Sequence, residues 1–159
     1  MERLLFKIYN SKKSTALLNA VSHISVILVL LGYFSVLHFS YADGLVKTVK
    51  LLALSAVPFL TVSIFRYLFN APRPYELYGF YKSLPKHKSG NSFPSRHVFS
   101  SFLIATLAFN YSIILGVLLA ALSFVLACAR VLLGIHFVRD CIAGALIGVI
   151  SGIIGIMLI

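Results

Sequence analysis

The sequence predicts an all-α, polytopic transmembrane helix bundle of about five spans, preceded by an N-terminal interfacial amphipathic helix. Three observations predict it. Hydrophobic residues make up 60% of the 159 residues and charged residues only 11%. The mean hydropathy is +0.97, far from the balance of an ordinary soluble domain. The uncharged stretches also fall into lengths near the roughly 20 residues that one helix needs to cross a hydrocarbon core. A chain of 159 residues forms one membrane-embedded domain, residues 1–159, and no second.

Met1 to Lys13 has Leu4, Leu5 and Ile8 on one side of a helix and Arg3, Lys7 and Lys12 on the other, the pattern of a helix lying in the interface. No formal charge occurs between Lys13 and Asp43, and Leu17 to Phe39 makes the first span. The run is longer than the apolar part of a signal peptide and is expected to remain as an anchor. The second span, about Val49 to Phe69, carries Arg66 near its end, where a charge is costly and usually functional. From Asn70 to His97, Pro72, Pro74, Gly79, Pro85, Gly90 and Pro94 interrupt any helix, and Lys82, Lys86, His87 and Lys88 make the segment basic. It is the one substantial loop.

Val98 to Ala129 is uncharged and too long for one helix, so two short helices turning at Asn110-Tyr111-Ser112 are expected. Asp140 opens the last run, Cys141 to Ile159, in which Gly144, Gly148 and Gly152 recur at every fourth position. Glycines so spaced let helices approach closely. With alternating crossings, the N-terminus, the Asn70 to His97 loop and the junction before the last span share one side.

The net charge of +10 reflects missing acids, since the chain has only four, Glu2, Asp43, Glu76 and Asp140. Anionic partners follow, and for a membrane protein these are lipid headgroups in the bilayer, not nucleic acid. Cys128 and Cys141 lie in apolar stretches without a CxxC pattern or a histidine at ligand spacing. Both read as buried, small apolar residues.

Against this background Arg66, Arg73, Ser95, His97, Arg130, His136 and Asp140 form a sparse polar set on one face. Arg66 and Arg73 are nearly two helical turns apart and point the same way while a helix lasts; Pro72 and Pro74 should end that helix. Alone, such an arginine reads as a snorkelling anchor, but its planar fork also suits phosphate oxygens. Ser95 stands where an N-cap is expected, and free amides at a helix start attract anions. His97 follows, one turn into the helix, where an imidazole needs a polar neighbour. His136 and Asp140, at i and i+4, stack on a helix starting near His136. The carboxylate can then hold the Nδ1 proton and leave Nε2 as a nucleophile. Arg130 reaches the same ligand only if the chain breaks between them, and Gly134 is the expected break.

Arg66-x6-Arg73-Pro74, Pro94-Ser95-x-His97 and Arg130-x5-His136-x3-Asp140 together resemble the three-part signature of the type 2 phosphatidic acid phosphatase family, which includes vanadium haloperoxidases. Arg66 stands where the family usually has Lys, Arg96 where it usually has Gly, and Ala129 where Ser is common. The resemblance implies that His136 attacks phosphorus to form a phosphohistidine, oriented by Asp140, while His97 protonates the leaving oxygen and then serves the attacking water. Arg66, Arg73, Ser95 and Arg130 would hold the phosphoryl oxygens, with Arg96 an added cation beside them. No cofactor and no metal are implied, and one carboxylate in the set is too few for a two-metal site.

The expected function is therefore that of an integral-membrane, metal-independent lipid phosphate or diphosphate phosphatase. The preferred substrate is undecaprenyl diphosphate, giving undecaprenyl phosphate and phosphate; phosphatidylglycerophosphate, phosphatidic acid and lipid A are rivals. Tyr75, Tyr78, Phe80 and Tyr81 either guide the lipid chain or form an aromatic belt. A multi-pass protein of the inner, cytoplasmic membrane is expected. Arg3, Lys7, Lys12 and Lys13 share the site's face, against Lys47 and Lys50 opposite, and the positive-inside rule would make that face cytoplasmic. The resemblance favours the periplasmic face, and the site's own cations bias the count, so the periplasmic site is preferred. The competing class is an anionic-lipid-binding or small transport protein that uses the same cations for docking. A transporter would show broken helices near the midplane, and Pro58 alone suggests one.

Overall fold

The computed structural model describes residue 8 and residues 11–77 and 89–159, and all regular structure among these is helical. Helix α1 spans Lys12–Ala42, α2 Leu45–Phe69, the short α3 Pro74–Leu77, α4 Arg96–Phe109, α5 Ile113–Leu132 and α6 Val138–Leu158. The chain around Pro58 stays helical. The helices α1, α5, α6 and the unit from α2 through α3 are long and apolar enough to cross a membrane, and α4 is a shorter apolar helix.

Expected and observed spans agree except in two places. The uncharged run after Val98 divides at Asn110 as expected, but into helices of 14 and 20 residues. At 1.5 Å per residue the first is about 21 Å long, short of a core of about 30 Å. At the other end, α1 begins at Lys12, with the Ser11 hydroxyl accepting from Ser14 N. Lys12 and Lys13 therefore belong to the first long helix and not to a separate interfacial one; Arg3, Leu4, Leu5 and Lys7 lie outside the described residues.

The bundle is built around α4. It packs against α1, α2, α5 and α6, and Val98, Phe99, Ser101, Leu103, Leu107 and Ala108 are buried within it. Side chains on the outside are as apolar as the core, for example Phe34, Ile113 and Met157, which is what a lipid-facing surface requires. Small residues let the helices close up. On α1 the buried positions include Ser22, Ser25, Gly32 and Ser40, on one face. On α6, a Cβ at Gly144 would lie 2.6 Å from the Ser95 carbonyl oxygen, and one at Gly148 2.4 Å from that of Phe99. The glycine spacing read from the sequence is thus a backbone-to-backbone contact with α4.

Helices α5 and α6 diverge, leaving an apolar groove of about 500 Å³ lined by Phe102, Phe124, Cys128, Val131, Cys141 and Ile142 among others. Cys141 is buried, but Cys128 is exposed and faces outward. The expectation of two buried cysteines is corrected in that respect. A thiol is apolar enough to face lipid.

Candidate active site

The polar residues gather where α2 ends, α4 and α6 begin and α5 ends. Helix α2 stops at Asn70, whose φ of 43° is left-handed, a conformation asparagine tolerates better than most residues. Arg73 therefore does not share a helix with Arg66; it reaches the site from the extended segment that follows. The buried Arg66 guanidinium donates through Nη1 to the Pro94 carbonyl and through Nη2 to that of Asn91. One arginine thus pins the segment leading into α4.

The ends of the loop are tied by a second set of bonds. Arg73 Nε donates to the Gly90 carbonyl at 2.8 Å. Glu76 accepts from Arg73 N at 3.1 Å and from Gly90 N at 2.6 Å through its two oxygens, and Ser92 N donates to the Ala71 carbonyl at 2.9 Å. Glu76 and Ser92 were not singled out from the sequence. For Glu76 a signal existed, since it is one of only four carboxylates and stands three residues after Arg73. For Ser92, one serine in a loop, no signal existed.

Helix α5 ends with Leu133 as its C-cap, and Gly134 follows with a φ of 60°, where a side chain would be strained. The chain folds back so that the Arg130 carbonyl accepts from Ile135 N and His136 N at 3.1 and 3.3 Å. This is the break expected at Gly134, and it brings Arg130 and His136 to one place. His136 precedes α6, whose N-cap is Phe137, so the imidazole and Asp140 do not stack on one helix as expected. Nδ1 lies 3.7 Å from Asp140 Oδ2, beyond a direct hydrogen bond. Ser92 Oγ mediates, 2.5 Å from Asp140 Oδ2 and 3.4 Å from His136 Nδ1. Asp140 Oδ2 also accepts from Phe137 N at 3.0 Å, and the Asp140 carbonyl from Ser95 N at 2.9 Å.

His136 is 2% exposed. Burial lowers its pKa from the ordinary 6.5 to about 4; Asp140 works in the opposite direction, and Arg73 and Arg66 assist the lowering. The ring is therefore neutral at physiological pH. Ser95 occupies the N-cap position of α4 but makes no side-chain capping bond. Its buried Oγ has no hydrogen-bond partner by geometry, although the Cys141 thiol lies near enough to feel it.

His97 and Arg96, the first residues of α4, are exposed. His97 lies within electrostatic reach of Arg130, His136, Arg96 and Arg66, and Arg130 within reach of Arg73. The Arg130 Nε is buried without a partner. A polar cavity of about 260 Å³ is lined by Ser63, Arg66, Tyr67, Arg73, Gly90, Asn91 and Arg96. Beside it an apolar cavity of about 190 Å³ begins at Arg96 and His97 and continues along Val29, Leu30, Phe59 and Ile104. All eight residues singled out as catalytic or phosphate-binding thus gather at one end of the bundle. Tyr75 is buried, with its amide donating to the Gly134 carbonyl at 3.3 Å, so it is part of the packing and not of a surface belt. Tyr78, Phe80 and Tyr81 lie outside the described residues. Among the described residues, no three His, Cys, Asp or Glu side chains are grouped to hold a metal ion.

Fold and site together define a helical membrane protein with an arginine-lined polar cavity at one end of the bundle. The chain belongs to the PAP2 superfamily, which matches it over residues 47–158, and is a multi-pass membrane member of this lipid phosphatase family. It is 39% identical over 70 residues to the bacitracin transport permease protein BcrC of Bacillus licheniformis, a match covering 44% of this chain and 34% of that protein. The matched stretch thus spans about a third of that relative's length. Among solved structures, LpxE of Aquifex aeolicus superposes with a TM-score of 0.71 at 26% identity, covering 98% of this chain and 93% of that one. The PAP2 type phosphatidylglycerolphosphate phosphatase of Bacillus subtilis superposes with a TM-score of 0.71 at 15% identity, covering 99% and 83%, a likeness of fold.

Proposed function

We propose that this chain hydrolyses a lipid phosphate or diphosphate through a phosphohistidine formed on His136, without a metal. The observation that carries the reading is the meeting of a buried, neutral His136, held through Ser92 to Asp140, with Arg66, Arg73, Arg130 and His97. Ser92 and Asp140 keep the proton on Nδ1, so the Nε2 lone pair is free to attack phosphorus. As the N–P bond forms, the bond from phosphorus to the leaving oxygen breaks, and His97 gives that oxygen its proton. Water then attacks the phosphohistidine, His97 takes its proton, and the electron pair of the N–P bond returns to Nε2. The guanidinium groups and the uncapped first-turn amides of α4 stabilise the equatorial oxygens throughout.

Undecaprenyl diphosphate is the preferred substrate, giving undecaprenyl phosphate and phosphate. Arg66, Arg73, Arg96 and Arg130 gather with the carboxylates of Asp140 and Glu76, the latter accepting from Arg73 N and Gly90 N, and the excess of cations favours a phosphorylated headgroup. The apolar cavity that starts at His97 adjoins a second of about 370 Å³, giving room for a hydrocarbon chain. The site is assigned to the periplasmic face of the inner membrane.

Phosphate release by the purified protein in detergent tests this, with undecaprenyl diphosphate, phosphatidylglycerophosphate, phosphatidic acid and lipid A offered in turn. Release is expected to persist in EDTA, to stop with vanadate, to be fastest with undecaprenyl diphosphate, and to fall by about 10⁴-fold or more in His136→Ala. Release that requires a divalent metal, or that survives in His136→Ala, overturns the reading. The name of the B. licheniformis relative favours transport as a second reading, which expects His136→Ala to keep lipid binding and biological activity.

A further inference from the structure

The phosphatase mechanism gives no distinct task to Arg96. Its side chain lines the polar cavity with Arg66 and Arg73 and the apolar cavity with His97 and Phe59. It stands at the boundary between them. Among the described residues no carboxylate pairs with it; its Cζ lies 5.3 Å from the centre of the Phe59 ring. A cation resting on an aromatic face is held more weakly than one in a bidentate bond to a phosphoryl group, so the guanidinium can leave the ring for an anion.

Building on the phosphatase reading, we propose that Arg96 binds the tail-bearing phosphoryl group of a lipid diphosphate and makes the site selective for diphosphates over monophosphates. The transferred phosphoryl group lies at His136, and the hydrocarbon tail lies in the apolar cavity. In a lipid diphosphate the second phosphoryl group bridges the two, and Arg96 occupies that border beside His97. When the bond from the transferred phosphorus to the bridging oxygen breaks, the electron pair goes to that oxygen and the lipid leaves as a phosphate. Arg96 faces the charge that grows there. In a lipid monophosphate the leaving group is an alkoxide with no second phosphoryl group, so Arg96 has no equivalent partner.

The test compares farnesyl diphosphate with farnesyl phosphate, which share one tail, in the wild type, Arg96→Gln and Arg96→Lys. The diphosphate-to-monophosphate ratio of kcat/KM is expected to fall about tenfold in Arg96→Gln, and by less in Arg96→Lys, which keeps the charge but not the fork. Equal losses on both substrates, or an unchanged ratio, overturn the proposal while leaving the phosphatase reading intact. If the wild type hydrolyses neither farnesyl lipid, the phosphatase reading is judged by release from the four lipids named above, and Arg96 by thermal stabilisation with inorganic pyrophosphate against inorganic phosphate. A larger shift with pyrophosphate that disappears in Arg96→Gln supports the role; equal shifts in the wild type, or a difference that survives the substitution, overturn it.

Discussion

His136 shows how one residue's surroundings decide its chemistry. Free in water its ring would be partly protonated near neutrality, and a protonated ring cannot attack phosphorus. Burial lowers its pKa from 6.5 to about 4, so the folded protein binds a proton there less readily than the unfolded chain. The sign follows from linkage: between the two values the unfolded state carries more protons, so stability falls as the pH drops through that window. Above about 6.5 the ring is neutral in both states and contributes no slope; below about 4 it is charged in both. The thermal midpoint in detergent, followed from pH 7.5 to 4, is therefore expected to fall more steeply for the wild type than for His136→Asn. Parallel curves would show that the ring does not stay neutral. At this scale the sequence disclosed the candidate polar groups but not their connections. His136 and Asp140 were legible from their spacing; Ser92, which joins them, comes from 44 and 48 residues away and is placed only when Ala71 and Arg66 hold its loop.

At the scale of elements, the contact between α4 and α6 couples fold to site. Gly144 touches the Ser95 carbonyl, and Ser95, at the N-cap position of α4, donates through its backbone N to the Asp140 carbonyl at 2.9 Å. A methyl group at Gly144 would meet backbone at 2.6 Å, whereas one at Gly155 would meet only the flexible end of Leu107 at 3.1 Å. Gly144→Ala must therefore push the start of α4 away from Asp140, at a cost of about 1–3 kcal/mol for overpacking, and activity is expected to fall more than tenfold. Gly155→Ala is expected to keep the activity within about twofold, because a side-chain tip can move aside. Matched thermal midpoints and kcat/KM values for the two variants check this; equal behaviour would remove the coupling. The stripe itself was legible, because a spacing of four puts small residues on one helix face. Its partner was not, since nothing in the sequence says which helix a glycine face will meet. The shortness of α4 was legible only in part: the uncharged run fixed a total length, and the Asn110 turn divided it unequally.

Over the whole molecule, the question is which side of the membrane the site faces. The start of α1, the end of α2, the start of α4, the end of α5 and the start of α6 lie with the site, so α6 ends at the opposite face. That end carries Lys47, paired with Asp43 at 3.4 Å, and Lys50, whose Nζ donates to the Leu158 carbonyl at 3.3 Å. Both lysines are exposed, at a face where cytoplasmic lysines meet anionic lipid. On the site's face, by contrast, Arg66 and Arg73 are bound to loop carbonyls and Arg130 is partly buried. Counting these as topological signals overstates the positive charge available to the membrane surface. A periplasmic site therefore requires Ile159 to be cytoplasmic. A fluorescent protein that folds only in the cytoplasm, fused after Ile159, is expected to fluoresce, and alkaline phosphatase, which is active only in the periplasm, is expected to be inactive at the same position. The reverse pattern would put the arginine-lined cavity in the cytoplasm and show that the basic N-terminal segment, not the family's usual orientation, sets the topology.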